Sequence, residues 1–249
     1  MPKFFVLPEN ITENSLVIDN EDVNHITRVL RLKEGDQIEV CDGHGYDYRA
    51  QIAKIEKQQV FCNLLSKVSA TTEPELKVTL FQALPKASKM EYIIQKTTEL
   101  GISKIVPCNL SRCVARLDEK SASKKVERWQ KIAEAAAKQC GRGKIPEIAS
   151  LMEFKDAVAQ MKQADLYFTP YECEEQNCLK PVLQSVKEPG TVSFMIGPEG
   201  GFDPAEINLI QENEILPVTL GKRILRTETA GEAVLAMIMY EIGDINENR

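Results

Sequence analysis

The sequence contains no hydrophobic run long enough to cross a membrane. Its longest apolar stretch, Ala233 to Tyr240, is far shorter than the roughly 20 residues that a spanning helix requires. Near the N-terminus, the apolar stretch Phe4 to Leu7 is followed at once by Pro8 and Glu9, which does not resemble a signal peptide. We therefore expect a soluble, cytoplasmic protein without a membrane partner.

Ligands for a metal ion are also scarce. The chain has two histidines, His25 and His44, and seven scattered cysteines. Its CxxxxC pairs, Cys108–Cys113 and Cys173–Cys178, lack the spacing of a zinc ribbon and lie far in sequence from both histidines. An odd number of cysteines also argues against a disulfide framework. We expect thiols in a reducing compartment and no metal site.

The two common phosphate-binding motifs are missing. Neither GxGxxG nor GxxxxGK[ST] occurs, so the sequence lacks the main motifs that would indicate a dinucleotide or a P-loop nucleotide as ligand. The segment GPEGGF, Gly197 to Phe202, instead follows an apolar strand and precedes a helix start with Asp203, Pro204 and Glu206 at suitable positions. Its three glycines let a ligand approach the backbone closely, which favours a ligand-binding loop over a plain turn.

A second charged loop, LGKRILRTETA, runs from Leu220 to Ala230. It places Lys222, Arg223, Arg226 and Glu228 between a strand and a helix rich in small residues. Charged side chains in a loop that follows a parallel strand favour a functional role over a solvated connection.

The net charge of -6 hides an uneven distribution. Residues 1–76 carry 8 basic and 13 acidic side chains, residues 77–146 carry 15 and 6, and residues 147–249 carry 8 and 18. The strongly basic middle segment suits a phosphate backbone as partner. A solvated helix face is the alternative interpretation of such a charge run.

The N-terminal part predicts a small β-barrel. Short strands separated by turns are expected at Lys3–Leu7, Ser15–Ile18, Gln37–Cys41, Tyr48–Ile55 and Gln59–Val68. One helix is predicted between Asn20 and Gly35. The polar, proline-terminated segment Ser69–Pro74 marks the domain boundary, which gives domains at 1–73 and 74–249.

From Lys77 onward, strands alternate with helices. Strands are predicted at Lys77–Leu84, Ile102–Cys108, Asp165–Thr169, Val192–Ile196 and Ile215–Leu220. Helices are predicted from Ser88 to a stop at Gly101, at Ser123–Cys140 and Met152–Ala164, from Asp203, and at Thr229–Ile242, with capping boxes at Ser88/Glu91 and Thr229/Glu232. This pattern predicts an α/β domain with a parallel sheet covered on both faces and a site beyond the C-terminal strand ends.

Five blocks of the sequence carry a family resemblance. They are HITRVLRLKEGD (25–36), QKTTELGISKIVP (95–107), ERWQKIAEAAAKQCGR (127–142), IGPEGGF (196–202) and LGKRILRTETA (220–230). With these blocks in this order, the sequence resembles the bacterial 16S ribosomal RNA uridine N3-methyltransferases, the small-subunit methyltransferase E family of the SPOUT class. The resemblance implies a PUA-like RNA-binding domain at 1–73 and, at 74–249, a SPOUT methyltransferase domain with a C-terminal trefoil knot. It also implies the cofactor S-adenosylmethionine, 16S rRNA of the small ribosomal subunit as partner, and a homodimer.

The same resemblance implies the site residues. The cofactor is expected at Thr169, Gly197, Pro198, Glu199, Gly200, Gly201, Leu216, Leu220, Gly221, Ile224, Leu225 and Arg226. RNA contacts are expected from Lys3, Arg28, Arg31, Arg112, Arg128 and Arg142. The family usually has arginine where Lys3 stands, and lysine keeps the charge but lacks the bidentate guanidinium.

Arg226 and Glu228 are the expected catalytic residues. Uracil N3 becomes nucleophilic when it loses its proton, and the resulting charge spreads to the ring carbonyl oxygens. Arg226 would stabilise that charge, and Glu228 would orient Arg226 or accept the proton. Two alternatives remain: a non-catalytic RNA-binding protein that keeps the fold, and a methyltransferase that acts on another RNA position.

Overall fold

The computed structural model describes residues 3–245, and by internal packing the chain divides into two compact units. The first unit comprises the chain up to Glu73 together with Ala137–Ile145, and the second comprises Pro74–Ala136 and the chain from Pro146 onward. Ala137–Ile145 thus packs with the first unit although it lies outside the predicted N-terminal domain, residues 1–73. The functions assigned to residues 1–73 and 74–249 stay a prediction. Within residues 3–245, no helix is both long and apolar enough to cross a membrane.

The first unit is built on a five-stranded mixed sheet. Its strands are β1 (Lys3–Phe5), β2 (Ser15–Ile18), β3 (Gln37–Cys41), β4 (Tyr46–Ile55) and β5 (Val60–Ser69). They lie in the order β1-β3-β4-β5-β2, with β1 parallel to β3 and the other pairs antiparallel. Alternate side chains along the strands, such as Leu16, Ile38 and Ile52, are buried in one apolar core. The prediction of a small β domain is confirmed.

The helix predicted between Asn20 and Gly35 is shorter than expected. Helix α1 (Asp22–Asn24) continues as a π-helical turn to Val29, whereas the helix was expected to extend toward Gly35. The difference has a backbone cause, because Arg31 has a φ of 54° and Gly35 a φ of 95°. Left-handed residues cannot continue a right-handed helix.

The second unit contains a parallel sheet of seven strands. They are β6 (Lys77–Ala83), β7 (Lys104–Asn109), β8 (Glu147–Ile148), β9 (Met152–Glu153), β10 (Leu166–Pro170), β11 (Thr191–Ile196) and β12 (Leu216–Val218). The order is β12-β10-β11-β6-β7-β8, and β9 pairs with β7. The central strands are almost entirely buried, with Phe81, Phe168 and Phe194 fully so. The predicted parallel α/β architecture is confirmed.

Six helices accompany this sheet: α2 (Lys89–Glu99), α3 (Glu119–Cys140), α4 (Phe154–Met161), α5 (Leu179–Leu183), α6 (Pro204–Glu212) and α7 (Thr227–Glu241). The predicted N-cap at Asp203 is confirmed, since its carboxylate accepts the backbone N–H of Ala205 at 3.0 Å. Glu206 completes a capping box by accepting the backbone N–H of Asp203 at 2.8 Å. The box predicted at Ser88 is wrong, because Ser88 makes no side-chain capping bond.

Three other helix starts differ from prediction: α3 begins at Glu119 rather than Ser123, and α7 and α4 are shifted by tertiary contacts. Helix α7 begins at Thr227 rather than Thr229, so the box at Thr229/Glu232 is wrong; the Thr227 hydroxyl donates instead to the carbonyl oxygen of Gly197 at 2.8 Å. Helix α4 begins two residues after Met152, because Met152–Glu153 is drawn into the sheet beside β7. In both cases a tertiary contact overrides the local signal.

A buried ion pair ties segment 137–145 to the first unit. Arg142 Nη2 lies 2.9 Å from Glu73 Oε2, and the two side chains are only 7% and 9% exposed. Glu73 also accepts the backbone N–H groups of Gly143 and Lys144 at 2.8 and 3.0 Å. The carboxylate is thus surrounded by donors from one short segment, which fixes that segment in the first unit.

Replacing Arg142 by alanine tests this assignment. Because the Glu73 carboxylate would stay buried without its cation, we expect Arg142→Ala to lower the free energy of unfolding by about 3–5 kcal/mol. Urea denaturation followed by circular dichroism measures the change. The control Arg49→Ala removes an exposed arginine of the same unit and is expected to cost less than about 0.5 kcal/mol. Equal effects of both substitutions would contradict a structural role for Arg142.

Candidate active site

The predicted ligand loops meet at one edge of the parallel sheet. Strands β12, β10, β11 and β6 are neighbours and parallel, so their C-terminal ends lie side by side. The GPEGGF loop follows β11, and the loop that ends at Arg226 follows β12. Ligand sites of parallel α/β sheets form at this edge.

The GPEGGF loop has a tight and well-anchored backbone. Gly201 has a φ of 69°, and its N–H donates to the carbonyl oxygen of Pro198 at 2.9 Å. A Cβ atom on Gly197 would come within 2.9 Å of the Phe202 ring, and one on Gly200 within 3.3 Å of Arg112. The glycines therefore permit both the turn and the close packing around it.

Two buried polar oxygens near the same strand ends have no hydrogen-bond partner among the described residues. One is Oγ1 of Thr169 in β10, and the other is Oε1 of Gln82 in β6. Both residues are fully buried. Gln82 Nε2 donates to the Thr227 hydroxyl at 3.0 Å, and that hydroxyl bonds the Gly197 carbonyl. Because buried polar atoms are normally paired, these oxygens are suited to a ligand.

The second loop is exposed before it enters α7. Gly221 has a φ of 98°, Ile224 is 84% exposed, and Leu225 is half-buried. Arg226 is the N-cap residue of α7, and its exposed side chain forms no ion pair or hydrogen bond within residues 3–245. The Arg226 guanidinium can therefore bind a ligand without first breaking a contact within residues 3–245.

Glu228 lies apart from Arg226 and contacts Lys89 instead. Lys89 Nζ is 3.1 Å from Glu228 Oε2 and also 3.1 Å from Glu199 Oε1 of the GPEGGF loop. The expectation that Glu228 orients Arg226 is therefore replaced by an ion pair with a residue of α2. The contacts with Glu228 and then Glu199 raise the pKa of Lys89, which keeps it protonated.

Burial raises the pKa of Glu199, but three donors outweigh it. The backbone N–H groups of Lys86 and Glu199 and the Lys89 ammonium together lower the pKa below the ordinary value. The Lys86 N–H lies 3.0 Å from Glu199 Oε1. The Glu199 side chain thus anchors the loop to the turn between β6 and α2.

Lys89, Gln82 and Thr227 lie at the site but were not predicted from the sequence. Gln82 lies at the C-terminal end of β6, and Lys89 begins the helix that follows. Their position beside a loop at the C-terminal edge of the parallel sheet could have identified them as site residues. Thr227 adjoins Arg226 but carries no charge, so the charge pattern of the loop did not indicate it as a site residue.

The residues predicted to bind RNA fall into different surroundings. Arg28 and Arg31 are exposed in the first unit. Lys3 pairs with Asp47 at 2.9 Å and donates to the Gly141 carbonyl, while Arg142 is buried against Glu73. Both of these cations are therefore committed to contacts inside the first unit.

In the second unit, Arg112 and Arg128 are exposed. Arg112 donates to the Gly200 carbonyl at 3.1 Å and lies 3.5 Å from Asp203, so it borders the GPEGGF loop. Arg128 pairs with Glu91 at 2.8 Å. Of the predicted RNA contacts, Arg112 is the one that the structure brings to the loops of the candidate site.

Neither disulfides nor a metal cluster is found in the described part of the chain. All seven cysteines lie within it and none forms a disulfide, with Cys41, Cys62, Cys108 and Cys113 buried. Burial raises the pKa of the Cys41 and Cys62 thiols to about 12 each. Among residues 3–245, no group of three or more His, Cys, Asp or Glu side chains is arranged to hold a metal ion.

Known proteins resemble this chain along nearly its full length. The sequence family described as the RNA methyltransferase domain matches residues 72–239, and the RNA methyltransferase PUA domain matches residues 18–65. Ribosomal RNA small subunit methyltransferase E of Bacillus subtilis (strain 168) is 36% identical, with 90% of this chain and 89% of that protein covered. The protein of the same name from Synechocystis is 35% identical, with 95% and 76% covered.

A solved structure agrees with these sequence matches. The ribosomal RNA small subunit methyltransferase E of Neisseria gonorrhoeae, bound to S-adenosyl methionine, is 31% identical and superposes with a TM-score of 0.86, covering 99% of this chain and 100% of that one. Since both domain families match and the relatives align over most of their length, the chain belongs to the ribosomal RNA small subunit methyltransferase E family.

Proposed function

We propose that this protein transfers a methyl group from S-adenosylmethionine to uridine N3 of 16S rRNA in the small ribosomal subunit. Family membership carries the proposal, and the candidate site is consistent with it. The relatives in Bacillus subtilis and Synechocystis are named for small-subunit ribosomal RNA methylation, and the Neisseria gonorrhoeae structure contains the cofactor.

The residues at the strand ends fit the proposed cofactor. The glycines of the GPEGGF loop leave room for close approach to the backbone. The buried oxygens of Thr169 and Gln82 are hydrogen-bonding groups without a partner among the described residues. The proposed cofactor residues are Thr169, Gly197, Pro198, Glu199, Gly200, Gly201, Leu216, Leu220, Gly221, Ile224, Leu225 and Arg226. When bound, S-adenosylmethionine supplies an already activated methyl group, so binding and orientation are the tasks of the protein.

Arg226 and Glu228 are the proposed catalytic residues. The guanidinium of Arg226, which has no ion pair within residues 3–245, would donate to the uracil carbonyl oxygens as N3 loses its proton. In a dry site these hydrogen bonds would stabilise the developing charge by on the order of a few kcal/mol. The Glu228 carboxylate would accept that proton, and its ion pair with Lys89 at 3.1 Å holds the side chain in place at the start of α7. The base must also leave its stack to reach these groups.

Further features are proposed from the family. They are RNA contacts through Arg28, Arg31, Arg112 and Arg128, a homodimer, a trefoil knot in the second unit and a cytoplasmic location. Lys3 and Arg142 are left out of the RNA surface because their internal ion pairs occupy them. Incubation of purified protein with small ribosomal subunits and labelled S-adenosylmethionine, followed by mapping of the modified nucleotide, tests the reaction. Modification at another position would support the second enzyme alternative, and absence of cofactor binding would favour a non-catalytic RNA-binding protein.

The Thr169 hydroxyl provides a test of the cofactor site with two readouts. Thr169→Val removes a buried hydroxyl that has no described partner, so we expect the free energy of unfolding without ligand to rise by about 1 kcal/mol. The same change should weaken S-adenosylmethionine binding about 10-fold, because a ligand hydrogen bond is lost. Urea denaturation and titration calorimetry measure the two effects.

Thr191→Val is the matched control for this substitution. The Thr191 hydroxyl is bonded to Asp165 at 2.8 Å, so its loss should destabilise the protein while cofactor affinity stays unchanged. Unaltered cofactor affinity in Thr169→Val would remove Thr169 from the proposed site.

Substitution of Arg226 tests the proposed catalytic role. Because Arg226 is exposed and unpaired within the described chain, Arg226→Ala should fold normally but transfer methyl groups about 100- to 1,000-fold more slowly. Single-turnover assays on small subunits measure the rate. The neighbouring Arg223→Ala removes the same charge from the same loop and should keep most of the activity. Full methyl transfer by Arg226→Ala would contradict the catalytic role proposed for Arg226.

A further inference from the structure

Lys89 joins the two functional loops through a single ammonium group. It is the first residue of α2, and its Nζ lies 3.1 Å from both Glu199 and Glu228. Glu199 belongs to the loop after β11, whereas Glu228 lies in the first turn of α7. The three side chains are 28%, 22% and 18% exposed, so solvent screens these contacts less than it would a surface pair.

The two carboxylates depend on this cation electrostatically. Two negative charges that share one site repel each other, and an intervening ammonium converts that repulsion into two attractions. Two other titratable groups interact with these carboxylates: Glu232 of α7 with Glu228, and Cys113 of the segment after β7 with Glu199. Neither supplies a positive charge, whereas the Lys89 ammonium lies 3.1 Å from both Glu199 and Glu228.

The turn that presents Lys89 is itself held in a defined shape. Ala87 has a φ of 54°, in the left-handed region that a residue with a side chain rarely adopts. The adjoining Lys86 N–H donates to Glu199 at 3.0 Å. Backbone strain of this kind persists only where surrounding contacts fix it, and it is concentrated at functional sites.

We propose that Lys89 is a positioning residue, which holds the GPEGGF loop and the first turn of α7 in one fixed arrangement through Glu199 and Glu228. It acts on the reaction through these residues and through Arg226, which precedes the same helical turn. The protonated ammonium has no lone pair, so Lys89 is not the proton acceptor. This inference rests on the proposed function for its effect on catalysis, but its effect on the ligand-free protein is independent of it.

The ligand-free protein gives the first test. NMR titration of the glutamate side-chain carboxyl groups should show the pKa of Glu199 rising in Lys89→Met, because the variant lacks one of the groups that lower it. Amide hydrogen exchange in residues 197–202 and 227–231 should also become faster. Lys96→Met is the control, since Lys96 lies on the same helix and pairs with Glu99 at 2.8 Å. It should leave the Glu199 pKa and both segments unchanged.

Methyl transfer to small subunits gives the second test. We expect kcat of Lys89→Met to fall about 100-fold, as for other losses of alignment at a reacting centre, whereas Lys89→Arg retains most of the activity because it keeps the charge. A carboxylate without its cation binds its proton more tightly. Since the Lys89 ammonium lowers the pKa of Glu199, any loss of kcat/KM caused by protonation of Glu199 should begin at higher pH in Lys89→Met.

The outcomes separate the two proposals. An inactive wild-type protein would count against the proposed function alone, because the Glu199 titration and hydrogen exchange would still test Lys89. If wild type is active and Lys89→Met matches it in kcat, pH profile, Glu199 pKa and exchange, the inference is overturned. Lys89→Gln, which keeps a polar head group, repeats each measurement if Lys89→Met does not fold.

Discussion

Parallel pairing of β6, β11, β10 and β12 is the constraint on which the candidate site depends. Because neighbouring strands run in the same direction, the loops that follow them leave the sheet at one edge. The almost continuous burial of β11 fixes its register against β6 on one side and β10 on the other. Residues more than a hundred positions apart, such as Gln82 and Thr227, are thereby brought into hydrogen-bonding distance.

Much of this architecture could be predicted from the sequence because its signals are local. The apolar runs that became β6, β10 and β11 predicted buried parallel strands, and Asp203 with Glu206 predicted the start of α6. The glycines of GPEGGF marked the loop, since few other uses explain three glycines between a buried strand and a helix. Family resemblance added the chemistry, which neither periodicity nor spacing contained.

The remaining features depend on long-range contacts that leave no local pattern. Thr229 and Glu232 have the spacing of a capping box, yet α7 begins earlier because Thr227 finds the Gly197 carbonyl. Arg142 belongs to a basic run that suggested RNA, but its partner Glu73 lies 69 positions away and is buried with it. Glu228 likewise meets Lys89 only after α2 and α7 have packed together.

The membership of residues 137–145 in the first unit also bears on the order of events during synthesis. The strands up to Ser69 emerge from the ribosome long before Arg142, so Glu73 then lacks the donors that later surround it. Closing this contact requires the intervening chain, including α3, to be ordered or looped out, at an entropic cost that grows only slowly with loop length. We therefore expect the N-terminal unit to reach its final stability only after the first part of the methyltransferase sheet has been translated.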